Sequence, residues 1–375
     1  MPRFRTSTKR LFAVAILFVL ACGNSGGSTG GSKQYYFDFA NTLESGALFV
    51  SISQGVSWSS GIAGIRIKKY NNNGFDAVTI QKNARLMIQD KPDLIIEYSA
   101  VEGIGASIGK QFNNAKIPCI AVNVPIQGYC PWFNLVNRDI GTDTANAVIP
   151  ILKQKGWTGD DTIVLLLQAA GAGTEVNDCI RYFYVTVSNS SDLTGFDKAH
   201  PSDITAQTTK IGKAGWQLEG GGTLEGSYTA VKNALQTIPA SEHIVLYSIN
   251  DDSVQGGWRA ITEAHRVSNS IVAGLGSDEA SRAQLRSNPQ WVAEGDLFPY
   301  MWGEYLMAMG VAMKMGIKPP ALTKTPQVVM TKDTVGKYFK PGSNRPIGLP
   351  PLAPEDQYLL KTGVLQRFHN IPGVG

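Results

Sequence analysis

Residues 91–141 read KPDLIIEYSAVEGIGASIGKQFNNAKIPCIAVNVPIQGYCPWFNLVNRDIG, and the fold follows from how they alternate. The run Leu94-Ile95-Ile96, entered through Pro92-Asp93, is short and apolar, as a buried strand is. Behind it Ile104, Ile108, Phe112 and Ala115 fall on one helical face, with Lys110, Gln111, Asn113 and Asn114 on the other. A second apolar run, residues 117–122, stops at Asn123. Strand, helix and strand within about thirty residues make a βαβ unit, whose two strands must run parallel. Ligands of open parallel sheets sit in the crevice at the carboxyl ends of the strands. Those ends here carry Glu97, Tyr98, Ser99 and Asn123. Residues 136–141 lead into another helical pattern and predict a crossover between two lobes.

The chain has 375 residues, too many for one small core, which predicts two lobes. Hydrophobic residues make up 43% of it and charged residues 17%, ordinary for a folded protein. The formal net charge is +4, and Arg3, Arg5, Lys9 and Arg10 lie near the amino terminus. The remainder is close to neutral, which argues against a nucleic-acid partner. Residues 11–21 are apolar without a break, too short for a permanent span and suited to a signal-peptide core, so that residues 1–22 are expected to be a leader. They end in Val19-Leu20-Ala21-Cys22-Gly23, which resembles the lipobox of bacterial lipoproteins and implies lipid on Cys22, with the membrane touched through that anchor only. Residues 23–44 are expected to form a flexible tether. With Cys22 set aside, Cys119, Cys130 and Cys179 remain. The expected bridge is Cys130–Cys179, leaving Cys119 as a buried free thiol in an apolar strand.

Working outward, residues 47–51 read as strand one and 52–60 as a polar loop. The stretch holding Ile62, Ile65 and Tyr70 reads as a helix, residues 75–80 as strand two, and 83–89 as a second helix. After Gly141 a helix closes at Gly156. Residues 162–167 are wholly apolar and predict a central strand. The turn 169–174 opens a helix containing Asn177, Cys179 and Arg181, and 188–226 read as an elaborated loop with one or two short strands. The strand 244–249 ends at Asn250-Asp251-Asp252 and passes straight into a helix, where two carboxylates suit the free N–H groups and the dipole. Strands 271–275 and 291–294, the latter ending near Asp296, and a Met-rich helix over 303–315 complete the pattern. Near ten strands exceed one comfortable sheet, so the expected class is α/β with two doubly wound parallel-sheet lobes.

Signatures of catalysis are missing. Gly103, Gly105 and Gly109 have a GxGxxxG spacing, one residue longer than a dinucleotide fingerprint, and Gly109-Lys110 lacks a P-loop context. No HExxH occurs, and His200, His243, His265 and His369 lie far apart. No enzyme activity, cofactor or metal is expected.

Taken in order, these signals resemble the type I periplasmic substrate-binding proteins of sugar ABC transporters, the ribose/galactose-binding group. The resemblance is carried by residues 47–70, 91–141, Arg181, 244–264, 276–278, Pro299 with Gly303, and 325–335. It implies an amino-terminal lobe of 45–137 plus 298–325 and a carboxyl-terminal lobe of 138–297 plus 326–375. Three hinge strands would join the lobes, with one ligand closed between them. It further implies a site built from Ser51, Gln54 and Trp58, from Tyr98 and Asn123, from Asn177 and Arg181, and from Asn250, Asp251 and Asp296. Asn123 stands where sugar binders often have Asp followed by Arg, and Val124 replaces that Arg. Amide, carboxylate and guanidinium groups pair with neutral hydroxyls while aromatics cover apolar ring faces, for which Trp58 is the first candidate and Trp132 the second. The implied function is extracytoplasmic capture of a small polar solute, a sugar, for delivery to an ABC transporter permease. The alternative is a sensory protein presenting its ligand to a chemoreceptor or sensor kinase.

Overall fold

The computed structural model describes residues 34–374 apart from 75, 100, 102 and 277, so Cys22 and the leader lie outside the described residues. The first strands are β1 (Tyr36–Asn41), β2 (Arg66–Asn71), β3 (Leu94–Ser99), β4 (Cys119–Asn123) and β5 (Trp132–Asn134). They are followed by β6 (Thr162–Gln168), β7 (Lys210–Ile211), β8 (Gly215–Glu219), β9 (His243–Ser248), β10 (Ser270–Gly276), β11 (Trp291–Asp296), β12 (Leu322–Lys324) and β13 (Val328–Met330). The helices are α1 (Ala47–Ala63), α2 (Ala77–Asp90), α3 (Gly105–Asn114), α4 (Asn137–Lys155) and α5 (Gly173–Asn189). After these come α6 (Leu224–Leu235), α7 (Asp251–Glu263), α8 (Glu279–Ser287), α9 (Trp302–Lys314) and α10 (Val335–Tyr338).

One sheet has the order β12-β5-β4-β3-β1-β2 and is parallel throughout. The other has the order β13-β11-β10-β9-β6-β8-β7, parallel except for β13 and β7 at its edges. Central strands are buried along their length, as the apolar runs of β3, β9 and β10 require, while the edge strand β2 leaves Arg66, Lys68 and Lys69 in solvent. The expected α/β architecture with two parallel sheets is therefore present.

Its beginning is not as the sequence suggested. The first strand is Tyr36–Asn41, inside the expected tether, and 47–63 is a helix instead of a strand and loop. Ile52, Val56 and Ser59 recur every third or fourth residue and are buried against α9. Gly55 and Gly303 let these helices touch: a Cβ on Gly55 would sit 1.9 Å from Tyr300 O. The expected helix around Ile65 and Tyr70 is β2, and the expected strand 75–80 begins α2, whose amino end is capped by Asp76 accepting from Val78 N (2.9 Å) and Thr79 N (3.1 Å).

Three short crossovers join the sheets: residues 135–136 from β5 to α4, 297–301 from β11 to α9, and 325–327 from β12 to β13. Each leaves a parallel strand at its carboxyl end. The third enters beside the carboxyl end of β11, where Val328 pairs with Asp296. Links this short force the carboxyl edges of the two sheets to face one another. Gln327 ties two crossovers together by accepting from Val136 N at 2.8 Å.

The tail departs from its expected place on the second lobe. It starts there, where Gly342 N donates to Glu279 and Arg282 holds Ser343 O and Asn344 Oδ1. Ile347 N still donates to Tyr338 O (2.7 Å), and from Leu349 onward the tail lies on the first lobe, with Lys324 N on Asp356, Tyr358 on Thr323, Arg367 on Ala63 O and Asn370 on Glu304. Among the described residues no helix is long and apolar enough to cross a membrane.

Candidate ligand-binding cleft

On the first lobe the lip is made by the loops that follow β1, β3 and β4. Buried Asn41 shapes the first of them: its Nδ2 donates to Leu43 O (2.7 Å) and Phe49 O (3.1 Å), and its Oδ1 accepts from Thr42 N (3.0 Å). The loop leaves Glu44 in solvent and delivers the amino end of α1, which has no side-chain cap. Tyr98 stands just behind, nearly buried, with its ring 5.8 Å from Phe49 and 6.0 Å from Trp302. It is a wall more than a hydrogen-bonding arm. Its neighbour Glu97 is fully buried, accepts from Asn72 Nδ2 at 2.7 Å, and is pushed up to about 8 by burial.

Asn123 ends β4 half-buried with φ 67°, a left-handed conformation that is uncommon outside glycine. Trp132 is not a second stacking ring, since its Nε1 donates to Asn123 O at 2.9 Å and fixes this turn. The disulfide also corrects expectation: Cys119 bonds Cys130, and buried Cys179 is the free thiol among the described cysteines. Cys119 begins β4 and Cys130 lies just before β5, so the bridge closes the connection between these neighbouring strands, including the loop that Asn123 opens.

On the second lobe the polar residues at the strand ends are real, but several are already occupied. Asn177 clamps the turn after β6, with Oδ1 accepting from Ala169 N (3.0 Å) and Nδ2 donating to Ala169 O (2.8 Å) and Gly173 O (2.6 Å). Arg181 pairs with Asp178, one helical turn before it. Asn250 caps α7 through Ser253 N (2.9 Å) and donates to Gly222 O (2.9 Å). Asp296 is fully buried, bound to Arg282 Nη1 (3.1 Å) and accepting from Phe298 N (2.8 Å). It therefore secures the hinge and does not face a ligand.

Asp251 is also engaged, from the second lobe's own backbone. It is half-buried at the first position of α7, and its Oδ2 accepts from Asp278 N at 3.0 Å. Gly276 makes room beneath it, because a Cβ there would lie 1.7 Å from that oxygen. Two residues back on β10, Gly274 makes the same room for Glu294, which accepts from Trp291 Nε1 at 2.8 Å. Full burial, then the charge of Asp251, push Glu294 well above its ordinary value.

The expected site is thus divided. Asn123, Asn250 and Asp251 lie on carboxyl edges that face each other across the crossovers, with Tyr98, Asn177 and Arg181 set behind them. Ser51 and Gln54 belong to α1, about 6 and 10 Å along its axis from the first residue, and not to a loop. Trp58 is farther still and packs under the tail, 5.7 Å from Tyr300 and 5.2 Å from Phe368, with Arg345 4.5 Å above its ring. It cannot stack on a ligand between the lobes. Sequence reasoning missed Glu44 and Phe49, because the preceding strand was misplaced. It also missed Glu175, whose carboxylate lies 3.4 Å from Asn134 Nδ2 and 3.5 Å from Asn137 Nδ2 and so links the second lobe to the first crossover. Among the described residues no group of three or more His, Cys, Asp or Glu is placed to hold a metal ion.

No family model and no curated protein matches the sequence. Solved structures do. An ABC transporter solute-binding protein from Mycobacterium smegmatis, with glycerol bound, superimposes with a TM-score of 0.69 at 14% identity, covering 84% of this chain and 99% of that one. The periplasmic binding protein of the arabinose ABC transporter from Shewanella sp. ANA-3, bound to L-arabinofuranose, gives 0.64 at 17% identity over 80% and 93% of the two chains. A galactofuranose-binding protein gives 0.64 at 15% identity over 88% and 99%. The chain shares the fold of these proteins.

Proposed function

We propose that this chain, built on the periplasmic-binding-protein fold, captures a small sugar between its lobes outside the cytoplasm and hands it to an ABC transporter. The observation that carries the reading is the facing of two parallel-sheet carboxyl edges across three short crossovers, with Asn123 on one and Asp251 on the other. Carboxylate and amide groups there suit neutral hydroxyls, as a cleft that binds without breaking a bond would have. Ligand contacts to both lobes favour the closed arrangement, which is the state a permease reads. A solved neighbour bound to a furanose and another named for binding one support five-membered sugar rings as the first class to try. Lipid on Cys22 would tether the exported protein to the membrane.

A thermal-shift screen of the purified chain against furanose- and pyranose-forming monosaccharides tests this directly. A sugar that raises the melting temperature and loses that effect in Asp251→Ala supports the reading. Indifference to every sugar, with a response to amino acids or nucleosides instead, would sink it. For the anchor, Cys22→Ser should move the protein from the membrane fraction to the soluble one.

A further inference from the structure

We propose that the hinge carries a second binding site, separate from the interlobe cleft, for a small primary-ammonium solute. A cavity of about 200 Å³ opens beside the crossovers, with Asp139 and Asp143 of α4 on one side and Thr325 and Asp356 on the other.

Three observations define the occupant. The wall is lined by acids: Asp143 and Asp356, with Asp139, which pairs with Arg138 at 3.3 Å, stand around a single lining cation, Lys324, which is already ion-paired with Glu355 at 2.5 Å. The wall also contains two buried oxygens without hydrogen-bond partners. Asp356 is 1% exposed and Thr325 3%; Asp356 Oδ2 accepts from Lys324 N at 3.1 Å, but Asp356 Oδ1 and Thr325 Oγ1 have no partner. Buried acceptors left unmade cost about 1–3 kcal/mol each, so a donor in this cavity is favoured. Finally, the acids are not grouped to chelate a bare metal ion, and Val136, Tyr305, Pro350 and Pro351 supply apolar wall. A compact ammonium group presents three N–H donors and one positive charge on a carbon body, which matches all three. Burial pushes Asp356 up to about 7, a penalty that a neighbouring cation offsets.

The proposal does not depend on what the cleft binds. Its test is isothermal titration of the whole chain with n-propylammonium chloride, with n-propanol, sodium chloride and magnesium chloride as parallel arms. Binding is expected for n-propylammonium alone. Asp143→Asn, at the exposed rim, and Asp356→Asn should each weaken it roughly tenfold or more, while Asp251→Ala leaves it unchanged. If Asp356→Asn fails to fold, Asp143→Asn carries the test by itself. No heat with n-propylammonium, equal binding of n-propanol or of the salts, or full affinity in Asp143→Asn would overturn the site. Loss of binding in Asp251→Ala would overturn it too, by moving the solute to the cleft.

Discussion

Replacing Asp251 by Asn keeps the shape of the side chain and removes its charge. The amide oxygen can still accept from Asp278 N, now held at 3.0 Å by Oδ2, and the space above Gly276 stays filled. Folding should change little, and the carboxyl of Glu294 below would lose a charged neighbour. Binding should change much more. A hydrogen bond to a charged acceptor contributes about 1.5–3 kcal/mol, so the ligand should dissociate roughly tenfold to 150-fold more readily. Calorimetry with the best sugar from the thermal-shift screen reads the affinity, and urea denaturation of the same protein reads the stability. An Asp251→Asn protein that loses stability but keeps its affinity within about twofold would refute the reasoning, because Asp251 would then be only a helix-end anchor.

Arg282 is buried beside Asp296 and also holds Ser343 O, Asn344 and the Phe339 ring, so Arg282→Met should destabilise the chain by about 3–5 kcal/mol in urea, and a loss under about 1 kcal/mol would contradict this pairing. Cys119 and Cys130 are 11 residues apart, and removing the bridge as a double Ser variant should cost about 3 kcal/mol on the chain-entropy estimate, measured as a lowered urea midpoint. Glu97 has its folded pKa raised from 4.5 to about 8, so the native state holds its proton more tightly than the unfolded chain does. Its contribution to stability is therefore full at low pH and falls between those two values as pH rises. Glu97→Gln should flatten that part of the stability profile, and an unchanged slope would remove the assignment.

Most of the second lobe was legible because β6, β9 and β10 are apolar runs, whereas internal β8, Gly215–Glu219, lay hidden in the polar stretch 188–226. Thr162–Gln168, His243–Ser248, Ser270–Gly276 and Trp291–Asp296 fall where those runs predict them. The start of the first lobe was not. A short apolar run such as 47–50 fits a buried helix as well as a strand, and only length decides. The true first strand follows a Gly/Ser stretch and contains a buried charge, Asp38, which disguises it. At the site, the strand ends named the right positions but not which groups were spare. Asn177, Asn250 and Asp296 are consumed by Ala169, Gly222 and Arg282, partners 8 to 28 residues away. No local pattern announces those partners, nor the pairing of Cys119 with Cys130.

The tail changes what kind of motion the molecule can make. It leaves the second lobe after Ile347, whose N–H donates to Tyr338 O, and already touches the first through Arg345 above Trp58, giving the chain a fourth covalent passage between them. Three strands lying side by side would permit twisting as well as bending. A fourth attachment away from those crossovers opposes twisting and limits how wide the jaws can gape. Cleaving the chain between Gly348 and Leu349, which leaves the tail packed on the first lobe, should therefore broaden the range of lobe angles seen in solution scattering without touching a single residue of the cleft.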